Sequence, residues 1–596
     1  MPAAGAGEDV NRMTLGIETP ARAAGPQSGS PVPLAAHALE TRGWSAESVD
    51  CMPKIAALAS LARVTAPDPI PTVSYRSRGN LLVVAGDDAR AARECAGRLA
   101  GALAVTLLGA GTSAGARYAT WSGRVEEIAG YLGEFTVSIA ALAREGGTAA
   151  SAPTAARFDL VLDFSVEPLF AMRQPPQGYF RASADPAALE ATLAELALAV
   201  GEFEKPRYFA FRENLCAHSR SEVVGCTACI DICSTRAISP DGNRVKVDPH
   251  LCMGCGACAT VCPSGAMSYQ FPRVADRGAQ VRQLLAAYRE AGGQDACVVF
   301  HDVAARESRA ASAAAGRGLP ARAIPMETWH VASVGLDVML PAIAHGASQV
   351  VVLAGCADAE YLAALRAQME IGEAMLAGLG RAGRHFAVLE AGDAASLASA
   401  FAALEPAPPA VAPATFLASN DKRTSIEFAV EHLARLAPQP VSEIALEPGA
   451  PYGEVRVDRD RCTMCMSCVG ACPESALMDG VDRPLLKFVE RNCVQCGLCE
   501  ATCPEDAISL SPRLLLGAPA REARVLNETQ PFRCIRCDKP FGTRQMVEAM
   551  LGRLAGHAMF SRPEALRRLQ MCGDCRVVDM MSATDEMTVH DLGNRS

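Results

Sequence analysis

Cysteines fall along this chain in runs with fixed gaps. Three runs share one spelling: Cys252, Cys255, Cys258 and Cys262 before Pro263; Cys462, Cys465, Cys468 and Cys472 before Pro473; Cys493, Cys496, Cys499 and Cys503 before Pro504. Two-residue gaps let three thiolates on one tight loop converge on a common centre. The fourth cysteine, three residues later, points away from it. Thiolates are soft ligands that suit iron–sulfur clusters and zinc. Structural zinc takes four ligands around one ion, usually from two CxxC pairs, and these runs carry one cysteine too many for such a pair. The spacing matches the corners of 4Fe–4S cubes and predicts one-electron chemistry.

A fourth run is less regular. It reads Cys216, nine residues, then Cys226, Cys229 and Cys233, with Ser234 where the others have proline. The runs form two pairs, and each pair resembles the dicluster module of bacterial 2(4Fe–4S) ferredoxins. In that family the fourth cysteine of each run serves the other cluster. The resemblance therefore implies four 4Fe–4S clusters with crossed ligands. Cluster A takes Cys216, Cys226, Cys229 and Cys262. Cluster B takes Cys252, Cys255, Cys258 and Cys233. Cluster C takes Cys462, Cys465, Cys468 and Cys503. Cluster D takes Cys493, Cys496, Cys499 and Cys472. For cluster A, His218 is close enough in sequence to compete with Cys216. Without either, that site holds three irons or none.

The surrounding residues repeat as well. Each fourth cysteine leads into a proline or serine, two residues, alanine, then an aliphatic or methionine: Cys233-Ser-Thr-Arg-Ala-Ile, Cys262-Pro-Ser-Gly-Ala-Met, Cys472-Pro-Glu-Ser-Ala-Leu and Cys503-Pro-Glu-Asp-Ala-Ile. Proline suits the first turn of a short helix. The alanine and aliphatic positions would cover a cluster and keep water off it. Alternation in Val245-Lys-Val247-Asp and Val455-Arg-Val457-Asp predicts half-buried strands feeding two of the loops.

Four more cysteines form two CxxC knuckles, Cys534/Cys537 and Cys572/Cys575, with a helix between them carrying Met546, Val547, Met550, Leu551 and Leu554. Two knuckles predict one structural zinc. Another metal centre, such as a rubredoxin-like iron or a fifth cubane, and a redox-active thiol pair are the alternatives. His557 is a bystander in this reading. The remaining Cys51, Cys95, Cys297 and Cys356 are expected as plain buried thiols.

These sites imply a multidomain α/β plus α+β chain. Two ferredoxin-like dicluster modules are inserted among parallel-sheet α/β domains, and a small CxxC metal-knuckle domain follows. Residues 1–45 are rich in Ala, Gly, Pro and Ser and are expected to be disordered. Residues 46–205 alternate strand and helix patterns, as an α/β domain does: strands at 81–85, 104–108 and 158–162, helices at 87–100 and 186–203. The first module spans 206–275. A second α/β domain covers 276–402, with strands at 296–300 and 349–353. A proline-rich linker and helix occupy 403–440, the second module 441–512, and a zinc-ribbon-like domain 513–596. Gly109-Ala-Gly111-Thr-Ser-Ala-Gly115 follows a strand but misses the dinucleotide spacing by one residue. It reads as an ordinary turn.

Net charge is −10 with histidine neutral, which argues against nucleic acid as a partner. No apolar run is long enough to span a bilayer. No basic-then-apolar leader opens the chain. The expectation is a cytoplasmic protein whose cysteines bind metal rather than pair as disulfides. The 296–380 stretch is similar to the small iron–sulfur subunit that links hydrogenase to heterodisulfide reductase, through Trp329-His-Val-Ala-Ser, Pro341-Ala-Ile-Ala-His-Gly-Ala and Val351-Val-Leu-Ala-Gly-Cys356. The layout as a whole resembles large iron–sulfur proteins encoded near proteobacterial formate dehydrogenases, through Cys216-Ala-His-Ser-Arg-Ser-Glu-Val-Val-Gly-Cys226 and Met571-Cys-Gly-Asp-Cys-Arg-Val577. That resemblance implies service to a redox enzyme, with formate dehydrogenase as the partner. Two roles follow: an electron carrier with no substrate site of its own, or an assembly and maturation factor for that enzyme.

Overall fold

In the computed structural model, residues 51–582 are described, apart from Asp87, 112–115, 145–147, 303–304, 306–318, 356–357, 391–393, 405–408 and Asp482. The expected disordered segment 1–45, Cys356, and parts of the glycine-rich loop and of the proline-rich stretch lie outside the described residues.

An unbroken apolar run within a strand must be covered on both faces. Leu81, Leu82 and Val83 meet that condition and are fully buried. Their strand, Asn80–Val84, sits inside a seven-stranded sheet, parallel to Ala104–Leu108 and Leu160–Asp163. Helices Ala89–Leu99 and Pro186–Leu198 join one hydrophobic core with Leu81, Val83 and Leu107. Strands Ala119–Ala129, Phe135–Arg144 and Thr154–Phe158 extend the sheet and pair antiparallel to one another. The expected parallel sheet therefore describes only part of this unit. The reason is visible in burial: the added strands alternate between covered and exposed residues, and antiparallel pairing tolerates one wet face. Gly109 and Gly111 adopt positive φ, and the next described element is strand Ala119–Ala129. Among the described residues, no helix N-terminus of the kind a dinucleotide loop uses follows it before that strand. The expected helix 186–203 stops at Leu198, and Gly201–Pro206 becomes a strand paired antiparallel with Thr72–Ser77.

The second α/β unit has four parallel strands in the order Ala323–Glu327, Cys297–His301, Gln349–Ala354 and Phe386–Glu390. Its core takes helices from well outside 276–402. Ala57 and Leu58 of helix Met52–Ser60 belong to it, as do Ile426, Ala429, Val430 and Leu433 of helix Lys422–Arg435. Buried Lys54 anchors the first of these by donating to Pro320 O at 2.8 Å.

The two cysteine-rich modules are built alike. In the first, Phe209–Phe211 pairs with Met267–Tyr269 and Ile238–Asp241 with Arg244–Val247. In the second, Gly453–Val457 pairs with Ile508–Leu515 and Leu477–Asp479 with Leu485–Phe488. A short helix carries the third cysteine of each run, Ala228–Asp231, Ala257–Val261, Ser467–Ala471 and Leu498–Ala501, and ends before the fourth; the expected proline-led helix after the fourth cysteine is a turn or bend instead. A hairpin, Pro531–Arg533 with Pro540–Thr543, opens the C-terminal part, and helix Arg544–Leu554 follows it.

The second module is clasped by a network around buried Glu490. Arg513 grips its carboxylate with two bonds of 2.8 and 2.9 Å, Arg524 adds a third at 2.8 Å and also reaches Glu454 at 3.0 Å. Removing one partner of a buried ion pair costs more than the pair itself contributes, because the other charges stay behind. Glu490→Ala is expected to destabilise this module by about 3–5 kcal/mol, read by chemical denaturation of the full chain. A loss below about 1 kcal/mol would mean that solvent screens the network.

Candidate metal centres

The nine residues between Cys216 and Cys226 fold into a hairpin. Ser219–Arg220 pairs with Val223–Val224. Ser221 and Glu222 both take positive φ, as a two-residue type I′ turn requires. Gly225 N–H donates to His218 O at 2.7 Å and Cys226 N–H to Ala217 O at 2.9 Å. A hairpin brings its ends together, so Cys226 returns to Cys216. Both line one cavity with Cys229 and Cys262. His218 also borders it, but its Nδ1 is held by Cys226 O at 3.0 Å.

Cys472 shares a second cavity with Cys493, Cys496 and Cys499. Cys233 lies within electrostatic reach of Cys252, Cys255 and Cys258. Cys462, Cys465 and Cys503 lie within the same reach of Cys468. In each of the three regular loops, the residues before and after the second cysteine have positive φ: Gly254 and Gly256, Met464 and Met466, Gln495 and Gly497. Such conformations are uncommon for side-chain-bearing residues, and here they curl the loop around its own centre. Backbone amides then face sulfur. Gly254, Ala257, Gln495 and Leu498 donate to Cys252, Cys255, Cys493 and Cys496. Two of the repeated alanines donate in the same way. Ala476 N–H reaches Cys472 Sγ at 3.2 Å and Ala507 N–H reaches Cys503 Sγ at 3.3 Å.

Desolvation pushes these thiols up, Cys252 and Cys496 to about 11 and Cys468 to about 12. Cys229 and Cys499 are pushed higher still, and neighbouring cysteines add to the rise. Crowded sulfurs of this kind ionise together only around a cation, which replaces their protons. The donor sets therefore fit metal clusters. Cations also stand on the backbone of two loops, the Cys252–Cys262 run and the Cys493 run. Buried Lys205 donates to Cys252 O at 2.8 Å and His250 O at 2.7 Å. Buried Lys422 donates to Ala259 O, Thr260 O and Cys262 O at 2.5–3.0 Å. Arg423 reaches Arg491 O at 2.8 Å and Cys493 O at 3.1 Å. Fully buried Tyr361 bonds Ser234 Oγ at 2.5 Å and also reaches the Cys255 thiol. Nothing in the sequence singles out these four residues, because they come from elements far from the loops they serve.

At the C-terminus, the sulfurs of Cys534, Cys537, Cys572 and Cys575 all lie within 4.8 Å of one another. Cys537 and Cys572 are 3.7 Å apart. A tetrahedral zinc with bonds of about 2.3 Å has sulfur–sulfur edges of about 3.8 Å, so the group fits one such ion. Burial pushes the Cys534 thiol up. Backbone amides of Cys572, Arg536 and Cys537 outweigh it, and the net value falls to about 6. His557 is exposed and accepts a bond from Met559 N–H at 3.2 Å, outside the group. Cys95 and Cys297 are buried, as expected, whereas Cys51 is only half-buried, and none of the three joins the four-cysteine group.

Residues 224–266 match a family model described as a 4Fe–4S dicluster domain, and residues 461–508 match a second model of the same description. No curated protein matches the chain. Among the described residues, no helix is long and apolar enough to cross a membrane. Two dicluster domains, joined to mixed α/β units and a four-cysteine group, support a multi-cluster iron–sulfur protein of ferredoxin type with a role in electron transfer.

Proposed function

We propose that the chain holds four 4Fe–4S clusters and relays single electrons to or from a partner oxidoreductase. Cys216, Cys226, Cys229 and Cys262 hold cluster A, and Cys252, Cys255, Cys258 and Cys233 hold B. Cys462, Cys465, Cys468 and Cys503 hold C, and Cys493, Cys496, Cys499 and Cys472 hold D. The observation that carries this reading is the shared cavity of Cys216, Cys226, Cys229 and Cys262. It supplies four thiols at the one site where the spacing is irregular. Bound clusters supply reversible one-electron steps at potentials set by hydrogen bonds, charge and exposure. The protein's contribution is the amides on sulfur, and the ammonium and guanidinium groups on the loop carbonyls. These stabilise added negative charge. The resemblance to proteins encoded near formate dehydrogenases makes that enzyme the first partner to test.

A carrier keeps its clusters and cycles them, whereas in an assembly factor they are labile or stay out of turnover. Cys216, Cys262, Cys493 and Cys499 are buried, which favours the carrier. For Cys534, Cys537, Cys572 and Cys575 we propose one zinc. The ion is redox-inert, and four thiolates leave it no open position, so its role is structural.

Anaerobically prepared protein is expected to contain about 16 irons per chain, with magnetic interaction between the members of each pair on reduction. About eight irons would mean that one module carries no clusters. Cys216→Ser is expected to lose or convert one cluster, leaving about 12–15 irons. An unchanged iron count and EPR spectrum would remove Cys216 from the ligands. Metal analysis should also find one zinc per chain, lost in Cys572→Ser without loss of iron. A zinc-free protein, or iron at that position, would overturn the zinc assignment.

A further inference from the structure

The two modules, separated in sequence by an entire α/β unit, meet face to face. A cavity of about 270 Å³ between them is lined by Cys226 and Cys262 from the first and by Gln495 and Cys496 from the second. Cys226 and Cys496 are close enough to feel one another's charge. Beside them, Gly225 backs onto Leu498, where an added methyl would stand only 2.8 Å from Leu498 Cγ. On the other flank, the Glu474 carboxyl lies close enough to the Ser264 hydroxyl for that group to ease its charge. The turn after Cys472 thus comes up to the turn after Cys262. Every one of these contacts involves a ligand proposed for cluster A or D, or a residue within two positions of one.

One helix terminus fastens the junction. Asp421 caps helix Lys422–Arg435 by accepting from Thr424 N–H at 2.9 Å and is paired with Arg212 of the first module at 2.8 Å. The next residue, Lys422, satisfies the last carbonyls of helix Ala257–Val261 and the Cys262 carbonyl. The next again, Arg423, turns the other way onto the Cys493 loop and lies 4.6 Å over the Tyr452 ring. Two adjacent cations therefore grip the A side and the D side. Within each module the sets also adjoin, through Cys229 and Cys258 in the first and Cys468 and Cys499 in the second.

We propose that the modules form one four-centre electron path in the order B, A, D, C, with Lys422 and Arg423 as positioning residues that hold cages A and D in register. The inference rests on the ligand sets proposed above. An electron delivered by a one-electron donor reduces an outer cluster. Each inward step reoxidises that cluster and reduces its neighbour, until a one-electron acceptor takes the electron at the far end. No bond forms or breaks, and no proton moves.

The test uses the full chain. Cys255→Ser with Cys465→Ser strips one ligand each from B and C and leaves A and D as the only intact sets, one per module. With both reduced, their EPR spectrum is expected to show splitting and faster relaxation that neither shows when reduced alone. Two independent, additive signals would overturn the proposal. In the same background, Arg423→Gln is expected to weaken the interaction and Arg423→Lys to restore part of it. No change in Arg423→Gln would remove Arg423 as a positioning residue. If the double variant fails to hold A and D, the unsubstituted protein is titrated instead. A fully reduced spectrum explained by the B–A and D–C pairs alone overturns the path, and one that requires an A–D interaction supports it. Iron analysis of each sample separates the two ideas. About 16 irons in the unsubstituted protein with no A–D interaction sinks the path alone, whereas missing iron sinks the ligand sets.

Discussion

Gathering sulfur is the constraint on which this molecule is organised. A thiolate loses its water when enclosed, and four together repel. The rise in the thiols of Cys229, Cys252, Cys468, Cys496 and Cys499 reports both effects at once. Only a cationic centre reverses that balance. The protein's own share of the work is to supply positive ends of dipoles: amide hydrogens around each loop, made available by residues at positive φ on both sides of the second cysteine. Lys205, Lys422 and Arg423 extend the same principle one bond further out, since a cation on a ligand's carbonyl polarises the peptide that carries the sulfur.

The α/β units take their meaning from this arrangement. The first contributes Lys205 and Tyr75, whose hydroxyl bonds His250 O at 2.7 Å, just ahead of Cys252. The second contributes Tyr361 and Ala332, which pack with Ala257 against Cys255 and Cys258. Together they wall in the set at Cys252, Cys255, Cys258 and Cys233. Neither job requires a nucleotide, and among the described residues after Gly109 the next element is a strand, Ala119–Ala129.

Much of the site was legible because cysteine spacing is local. A two-residue gap fixes which sulfurs share a loop whatever the rest of the fold does, and the alternating strands at 245–247 and 455–457 fall where the pattern puts them. The irregular run was harder to read. A nine-residue insertion gives no sign of its path until Ser221 and Glu222 are seen at positive φ, where neither residue type is favoured. The apolar pattern that suggests a helix over 186–203 runs on through Ala199, Val200 and Phe203, but from Gly201 it belongs to a strand. Least legible were long-range partners. Lys422 heads a helix that reads as a linker, yet its ammonium is buried against a loop 160 residues away.

The two ends of the molecule are built differently. At the set formed by Cys252, Cys255, Cys258 and Cys233, large α/β units supply the wall. At Cys462, Cys465, Cys468 and Cys503 the neighbour is the small C-terminal part: Thr543 Oγ1 bonds Thr463 O at 3.0 Å, and Arg553 pairs with Glu505, two residues past Cys503. The local core around the four knuckle cysteines is small, holding Cys534, Met571 and Cys572 with Phe541 and Cys575 packed against it. A core of that size buries too little apolar surface to hold itself together, and small domains of this kind depend on a metal or a disulfide. Four sulfurs within 4.8 Å of one another, close enough to share one ion, answer that need. A redox-inert ion held there would brace the loop that carries Cys462 and Cys465 without itself exchanging electrons.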